Sequence, residues 1–273
     1  MEDEVRQIQL KCLELLKIVD SICRRHKIQY SLCGGSVVGA YLYGGCLPWD
    51  DDIDLMMTRD NYNKFNAVVL EELPEGISVH NYQLSDEYSS LFTKIVDDKT
   101  TVVQQDGTVS GIFLDITVYD RVPKNYRQKE DIFLWKISQV VAIGKIKEKS
   151  LKASIRNVIL TLFFKNPSKY FRYFQKRVEK NGKTSEYHYS ELFGAFCNTK
   201  PYAREIFENY AEIEFEGNKY MIVRDYVKYL ETRYERTDFR EPKDKQVAPH
   251  YLFVDLSVPY RQYMKEKMSY EKK

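Results

Sequence analysis

No stretch of this 273-residue chain approaches the ~18 consecutive apolar residues of a membrane-spanning helix. The opening MEDEVRQIQL also lacks the basic-then-apolar order of a secretory leader. Cysteine is sparse and odd in number: Cys12, Cys23, Cys33, Cys46 and Cys197 include no C-x-x-C pair. That pattern argues against a disulfide framework and against a structural zinc site, and it suits a reducing compartment. A cytoplasmic location is therefore expected. Net charge is nearly absent, at +2, so no whole-molecule field draws the chain to nucleic acid, and no nucleic-acid recognition motif is found. There is no internal repeat and no low-complexity linker. What remains is an ordinary globular balance of 43% hydrophobic and 30% charged residues, with length for one large core or two modest ones. Tyrosine, at 22, is abundant, which favours polar-edged surfaces and pockets that face sugars or cations.

Apolar residues at Ile8, Cys12, Leu15, Val19, Ile22 and Cys23 predict an amphipathic helix over residues 3–26. Ile28 to Cys33 reads as a strand ending at Gly34-Gly35-Ser36, with Ser36 capping a helix that runs to about Tyr43. A turn-rich loop with Pro48 and Trp49 leads to a strand over Ile53–Met57, then a helix from Arg59 to Leu73 closed by Pro74. Strands are expected near 77–82, 91–96 and 112–119. The fold class is α/β (α+β): a mixed sheet flanked by helices over residues 1–123, and a mainly helical region over 124–273 that completes the core and carries the acceptor site. Within the latter, Glu216-Gly217-Asn218-Lys219 reads as the turn of a hairpin, and Arg224 to Tyr234 as a helix. Between Lys145 and Lys183 there are 12 Lys/Arg against two Glu, beside an apolar helical face of Leu151, Ile155, Val158, Ile159, Leu162 and Phe163. Such a segment either contacts an anionic membrane or lipid-linked glycan peripherally, or packs on the core with its lysines in solvent.

The chemistry concentrates in Cys33-Gly34-Gly35-Ser36 and, sixteen residues later, Asp52-Ile53-Asp54-Leu55. Residues two apart on a strand share a face, so Asp52 and Asp54 project together while Ile53 and Leu55 enter the core. Paired carboxylates are costly without a cation, and oxygen ligands suit Mg2+ or Mn2+. Gly34, Gly35 and Ser36, between strand and helix, let backbone N–H groups approach a phosphate. Asp115, alone in the apolar run Gly111 to Val118, is the expected third carboxylate of a two-metal site and a candidate to accept a hydroxyl proton. The plainer alternatives are a solvated acidic turn for Asp50-Asp51-Asp52 and a structural ion pair of Asp115 with Lys94. An EF-hand is excluded by spacing, because its obligatory glycine falls on Leu55 and its closing glutamate on Asn61.

These residues resemble the nucleotidyltransferase superfamily of polymerase-β type. More narrowly, Leu47-Pro48-Trp49-Asp50-Asp51-Asp52-Ile53-Asp54-Leu55 is similar to the signature of LicD-family phosphotransferases. Phe92 to Thr101, and Phe113-Leu114-Asp115-Ile116 followed by Asp120-Arg121-Val122-Pro123, resemble that family's later blocks. The resemblance implies transfer of phosphocholine, or a similar alcohol phosphate, from CDP-choline or a related CDP-alcohol. The acceptor would be a sugar hydroxyl of teichoic acid, capsule or a lipopolysaccharide precursor, and CMP would be released. It implies metal ions on Asp52, Asp54 and Asp115, with Lys94 as a phosphate contact. Trp49 or some of the many tyrosines would cage the choline, and His250 is either a substrate contact or structural. Transfer of a nucleotide onto a small-molecule hydroxyl, or a non-catalytic metal- or glycan-binding role, are the competing functions.

Overall fold

The computed structural model describes residues 2–85, 91–105, 107–124, 129–143, 150–193, 198–236 and 251–270; His250 and Cys197 lie outside them. Helix α1 (Glu2–Arg25) leads to β1 (Ser31–Leu32), α2 (Gly34–Tyr43), β2 (Asp54–Thr58), α3 (Arg59–Glu72) and β3 (Ile77–His80). Strands β4 (Thr93–Asp97), β5 (Thr101–Gln104), β6 (Val109–Ser110) and the long β7 (Phe113–Pro123) follow, then α4 (Lys129–Ile143), α5 (Leu151–Phe163) and α6 (Pro167–Asn181). The chain continues with β8 (Tyr187–Glu191), β9 (Asn198–Tyr202), β10 (Tyr210–Phe215), β11 (Asn218–Val223), α7 (Tyr226–Tyr234), β12 (Tyr251–Asp255) and α8 (Tyr260–Tyr270). The architecture is mixed α/β, as expected.

The chain divides into two compact units, neither continuous in sequence. The first comprises Met1–Val79, Lys94–Ile116 and Glu205–Lys273. Its strands follow the order β1-β2-β7-β4-β3, with Ser31 opposite Met56 and Leu32 opposite Leu55. The predicted face of α1 is buried, from Ile8 through Cys12, Leu15, Val19 and Ile22 to Cys23, and Cys12 Sγ lies 3.5 Å from the Phe113 carbonyl on β7. A second small sheet, β12-β5-β6, and the β10–β11 hairpin complete this unit. The second unit comprises His80–Thr93 and Thr117–Arg204. There the later half of β7 pairs with β8, and Tyr82, Phe171, Phe174 and Phe193 form an aromatic core, with Phe174 and Phe193 ring centroids 4.9 Å apart.

Three local readings change. Helix α2 starts at Gly34 with Cys33 at the cap, so Ser36 lies inside its first turn, where its hydroxyl accepts the Asp54 N–H at 3.0 Å instead of capping. Strands β8, β9 and β12 lie in the region read as helical; the buried Glu191 and Ser190 break the alternation that would have signalled β8. The apolar face of α5 is not packed on a core: Leu151, Ile155, Val158, Leu162 and Phe163 are all exposed.

The loop between α2 and β2 is held from three directions. Gln9 on α1 donates from Nε2 to the carbonyls of Leu47 (2.9 Å) and Asp50 (2.8 Å). At Gly39, a Cβ would meet Gly45 O at 2.4 Å, so only glycine lets α2 lie this close to the loop. From the hairpin, Glu216 receives the Cys46 N–H (3.0 Å) and pairs with Arg6 (2.7 Å), and its own N–H bonds Gly44 O at 2.8 Å. Glu216 and Gly217 both have positive φ (51° and 70°), the backbone of a type I′ turn. The Arg6 hydrogen bonds hold the Glu216 carboxyl below the usual carboxylate range. A depressed folded pKa contributes stability that is full above the unfolded value, near pH 4.5, and is lost as pH falls through the folded value. Glu216→Gln should therefore lower urea stability by about 1 kcal/mol near neutral pH. The difference should shrink as pH falls below 4.5 and through the depressed folded value, as urea titrations from neutral to acid pH would read.

Candidate active site

Strand β2 begins one residue after Ile53, yet the alternation expected from the sequence holds across the boundary: Ile53 and Leu55 are fully buried, whereas Asp52 and Asp54 are mostly buried but keep some exposed surface. Asp51 is only 4% exposed, so this acid is withdrawn from solvent, whereas Asp50 and Asp52 on either side keep part of their surface. These three present carboxylate oxygens within 4.8 Å of one another, a spacing at which one cation can be shared. Asp115 reaches the same place on β7, where its N–H approaches Ile53 O at 3.4 Å, between Asp52 and Asp54. The Asp52 carboxyl is pushed well above the carboxylate range by its removal from water and by the charges of Asp54, Asp50, Asp115 and Asp51. Five acids thus share one locality. Among the described residues the group that meets this spacing is Asp50, Asp51 and Asp52, and of the sequence-derived triad of Asp52, Asp54 and Asp115 it contains Asp52 alone.

Lys94 enters this locality from β4. Its Nζ lies 3.1 and 3.4 Å from the two Asp115 oxygens and 3.1 Å from the centre of the Phe113 ring. Burial pushes the ammonium pKa down, opposed by the charges of Asp115, Asp54 and Asp52. The ion pair foreseen as the plain alternative for Asp115 is therefore present, inside the acid cluster.

At the start of α2, Gly34 has φ +52°, a left-handed conformation at low cost for glycine. A Cβ on Gly34 would stand 3.6 Å from Asp54 Oδ2 and 3.7 Å from Arg233 Nε, and one on Gly35 would clash with Asp50 Oδ2 at 2.6 Å. The two glycines thus admit an acid from each side, with Arg233 beside one of them. Of the polar groups expected to cradle a phosphate, the Gly34 N–H is donated to Tyr229 Oη at 3.1 Å and the Ser36 hydroxyl is engaged by Asp54 N–H.

Sequence reasoning missed Gln9, Glu216, Tyr229, Arg233 and Tyr251. Tyr251 is buried, and its phenol pKa is raised by that burial and by Cys12, Asp51, Asp52 and Asp115. For α7 a signal was present: Tyr226, Tyr229, Leu230 and Arg233 fall at i, i+3, i+4 and i+7, one helical face. Tyr226 packs 5.9 Å from Tyr41 of α2, so that face is the one α2 receives.

Residues 27–142, the stretch holding all of these acids, match the family described as LicD/FKTN/FKRP, nucleotidyltransferase domain. Over 257 residues the chain is 30% identical to the lipopolysaccharide cholinephosphotransferase LicD of Haemophilus influenzae, covering 91% of this chain and 96% of that protein. The chain belongs to the LicD family. As a LicD-family phosphotransferase it carries its acids inside the matched domain, whereas Arg6, Gln9, Glu216, Tyr229, Arg233 and Tyr251 lie outside it. The supports of the LicD site are thus drawn from both flanks of the domain.

Tyr229 ties α7 to this site, since its hydroxyl accepts the Gly34 N–H and sits 3.2 Å from Cys33 Sγ, fully buried. Tyr229→Phe should cost about 1–3 kcal/mol in urea unfolding, the penalty of an unpaired buried N–H.

Proposed function

We propose that this protein transfers phosphocholine, or a similar alcohol phosphate, from a CDP-linked donor to a sugar hydroxyl of lipopolysaccharide or another cell-surface glycan. The acceptor is taken to be lipid-linked, and the reaction cytoplasmic, where a nucleotide donor is at hand. The hydroxyl oxygen forms a new bond to the phosphorus that bears choline, the bond from that phosphorus to the CMP oxygen breaks, and CMP leaves with the electron pair. The convergence of Asp50, Asp51, Asp52, Asp54 and Asp115 beside the glycine-lined start of α2 carries this reading, together with the relative's cholinephosphotransferase name.

The donor set fits Mg2+ or Mn2+: it is all-carboxylate and crowded, with five acids against the two cations Lys94 and Arg233. Asp52, Asp54 and Asp115, with Asp50 and Asp51 beside them, would hold such ions. Bound there, they would supply charge neutralisation for the donor's pyrophosphate and for the developing alkoxide. Arg233, beside Gly34, adds positive charge where the donor phosphates approach. Asp115, oriented by Lys94, takes the hydroxyl proton. Trp49 immediately precedes the acids and stands edge-on to Tyr43 with centroids 6.1 Å apart, a platform suited to a quaternary ammonium.

Incubation with a panel of CDP-alcohols, Mg2+ and glycan acceptor should release CMP; pyrophosphate release would instead identify a nucleotide transferase. Asp52→Asn and Asp54→Asn should each lower CMP formation by roughly a hundred- to a thousandfold, and EDTA should abolish it until Mg2+ is restored. Trp49→Ala should raise KM for CDP-choline by about tenfold, the loss of one cation–π contact, with little change for an uncharged CDP-polyol.

A further inference from the structure

Helix α5 is turned inside out relative to an ordinary surface helix. It buries Ala153 and Leu160 on one side and exposes Leu151, Ile155, Val158, Ile159, Leu162 and Phe163 around the other, with Leu151 78% and Phe163 75% exposed. Thirteen residues at 1.5 Å each make about 20 Å of helix, too short to span a bilayer. Among the described residues no helix is long and apolar enough to cross a membrane. The apolar surface continues into an open cleft of about 480 Å³ between α4 and α5, lined by Ile137, Val140, Val141, Ile159, Leu160 and Phe164, with Lys136 and Arg156 among its walls. An apolar surface of this extent needs a cover.

Charge decides which. Residues 150–183 carry nine Lys/Arg (Lys152, Arg156, Lys165, Lys169, Arg172, Lys176, Arg177, Lys180, Lys183) against Glu179 alone, an excess of eight. Lys152 and Lys165, both exposed, stand at the two ends of α5. A second copy of the chain seated on this face would set two such excesses against each other, whereas an anionic bilayer neutralises them and accepts the aliphatic side chains. We infer that α5 is an interfacial helix, which lies in the headgroup region of an anionic membrane with Leu151, Ile155, Leu162 and Phe163 inserted and Lys152 and Lys165 on lipid phosphates. The enzyme is thereby held at a surface without spanning it.

Flotation of the full-length protein with vesicles of phosphatidylcholine alone, or with about one third phosphatidylglycerol, tests this. Binding is expected to the anionic vesicles only, to weaken as salt is raised, and to fall about tenfold or more for Lys152→Glu/Lys165→Glu and for Ile155→Asp/Leu162→Asp. Thermal melts of both variants should match the parent, since neither alters a buried residue. In Phe163→Trp, emission should shift to the blue on adding anionic vesicles. Failure to float, or flotation indifferent to both variants, overturns the inference. So does a dimer in sedimentation equilibrium that Ile155→Asp/Leu162→Asp dissolves, because a second copy would then be the cover.

Discussion

Mutual repulsion among carboxylates governs how the first unit is built. Five aspartates crowd one locality, and the cost is registered at Asp52, whose carboxyl resists ionisation because water is excluded and four like charges surround it. No acid cluster of this kind assembles by its own affinity. It is imposed by the burial of Ile53, Leu55, Leu114 and Ile116, all with no measurable exposure, which leaves the acids between them, Asp54 and Asp115, on the opposite face of β2 and β7. Lys94 and Arg233 stand among these acids as opposing positive charges.

The scaffold answers this repulsion with anchors drawn from far along the chain. Gln9 reaches the loop from the first helix, Glu216 from the tip of a hairpin, and Tyr229 fastens the start of α2 from a helix almost two hundred residues later. Each uses a directional polar bond to a backbone group. Backbone partners fix the position of a loop while leaving its side chains for chemistry.

Much of this was legible beforehand, for identifiable reasons. α1, α2, α3, α7 and the hairpin obey simple periodicities, and Asp52-x-Asp54 states its own geometry because a strand alternates. Asp115 was conspicuous as a lone charge in an apolar strand. The anchors were opaque, since Gln9 and Glu216 look like ordinary surface residues until the loop they hold is folded against them. Strand β8 was hidden by its buried acid, and β12 by the exposed Leu252 and Phe253, which blur the alternation. The apolar stripe of α5 was visible, but a sequence pattern gives the stripe and not its direction; that depended on which side Ala153 and Leu160 occupied.

The turn at Glu216 carries a tension of its own. Its left-handed backbone suits glycine or asparagine, and a side chain there costs on the order of 1 kcal/mol. The carboxylate nonetheless sits at that strained position, reaching both Arg6 and the Cys46 amide. Local folding preference and loop placement therefore pull residue 216 in opposite directions: an asparagine would relax the hairpin while slackening the tether on the acids. Selection for a sturdier hairpin alone would drift away from a working enzyme.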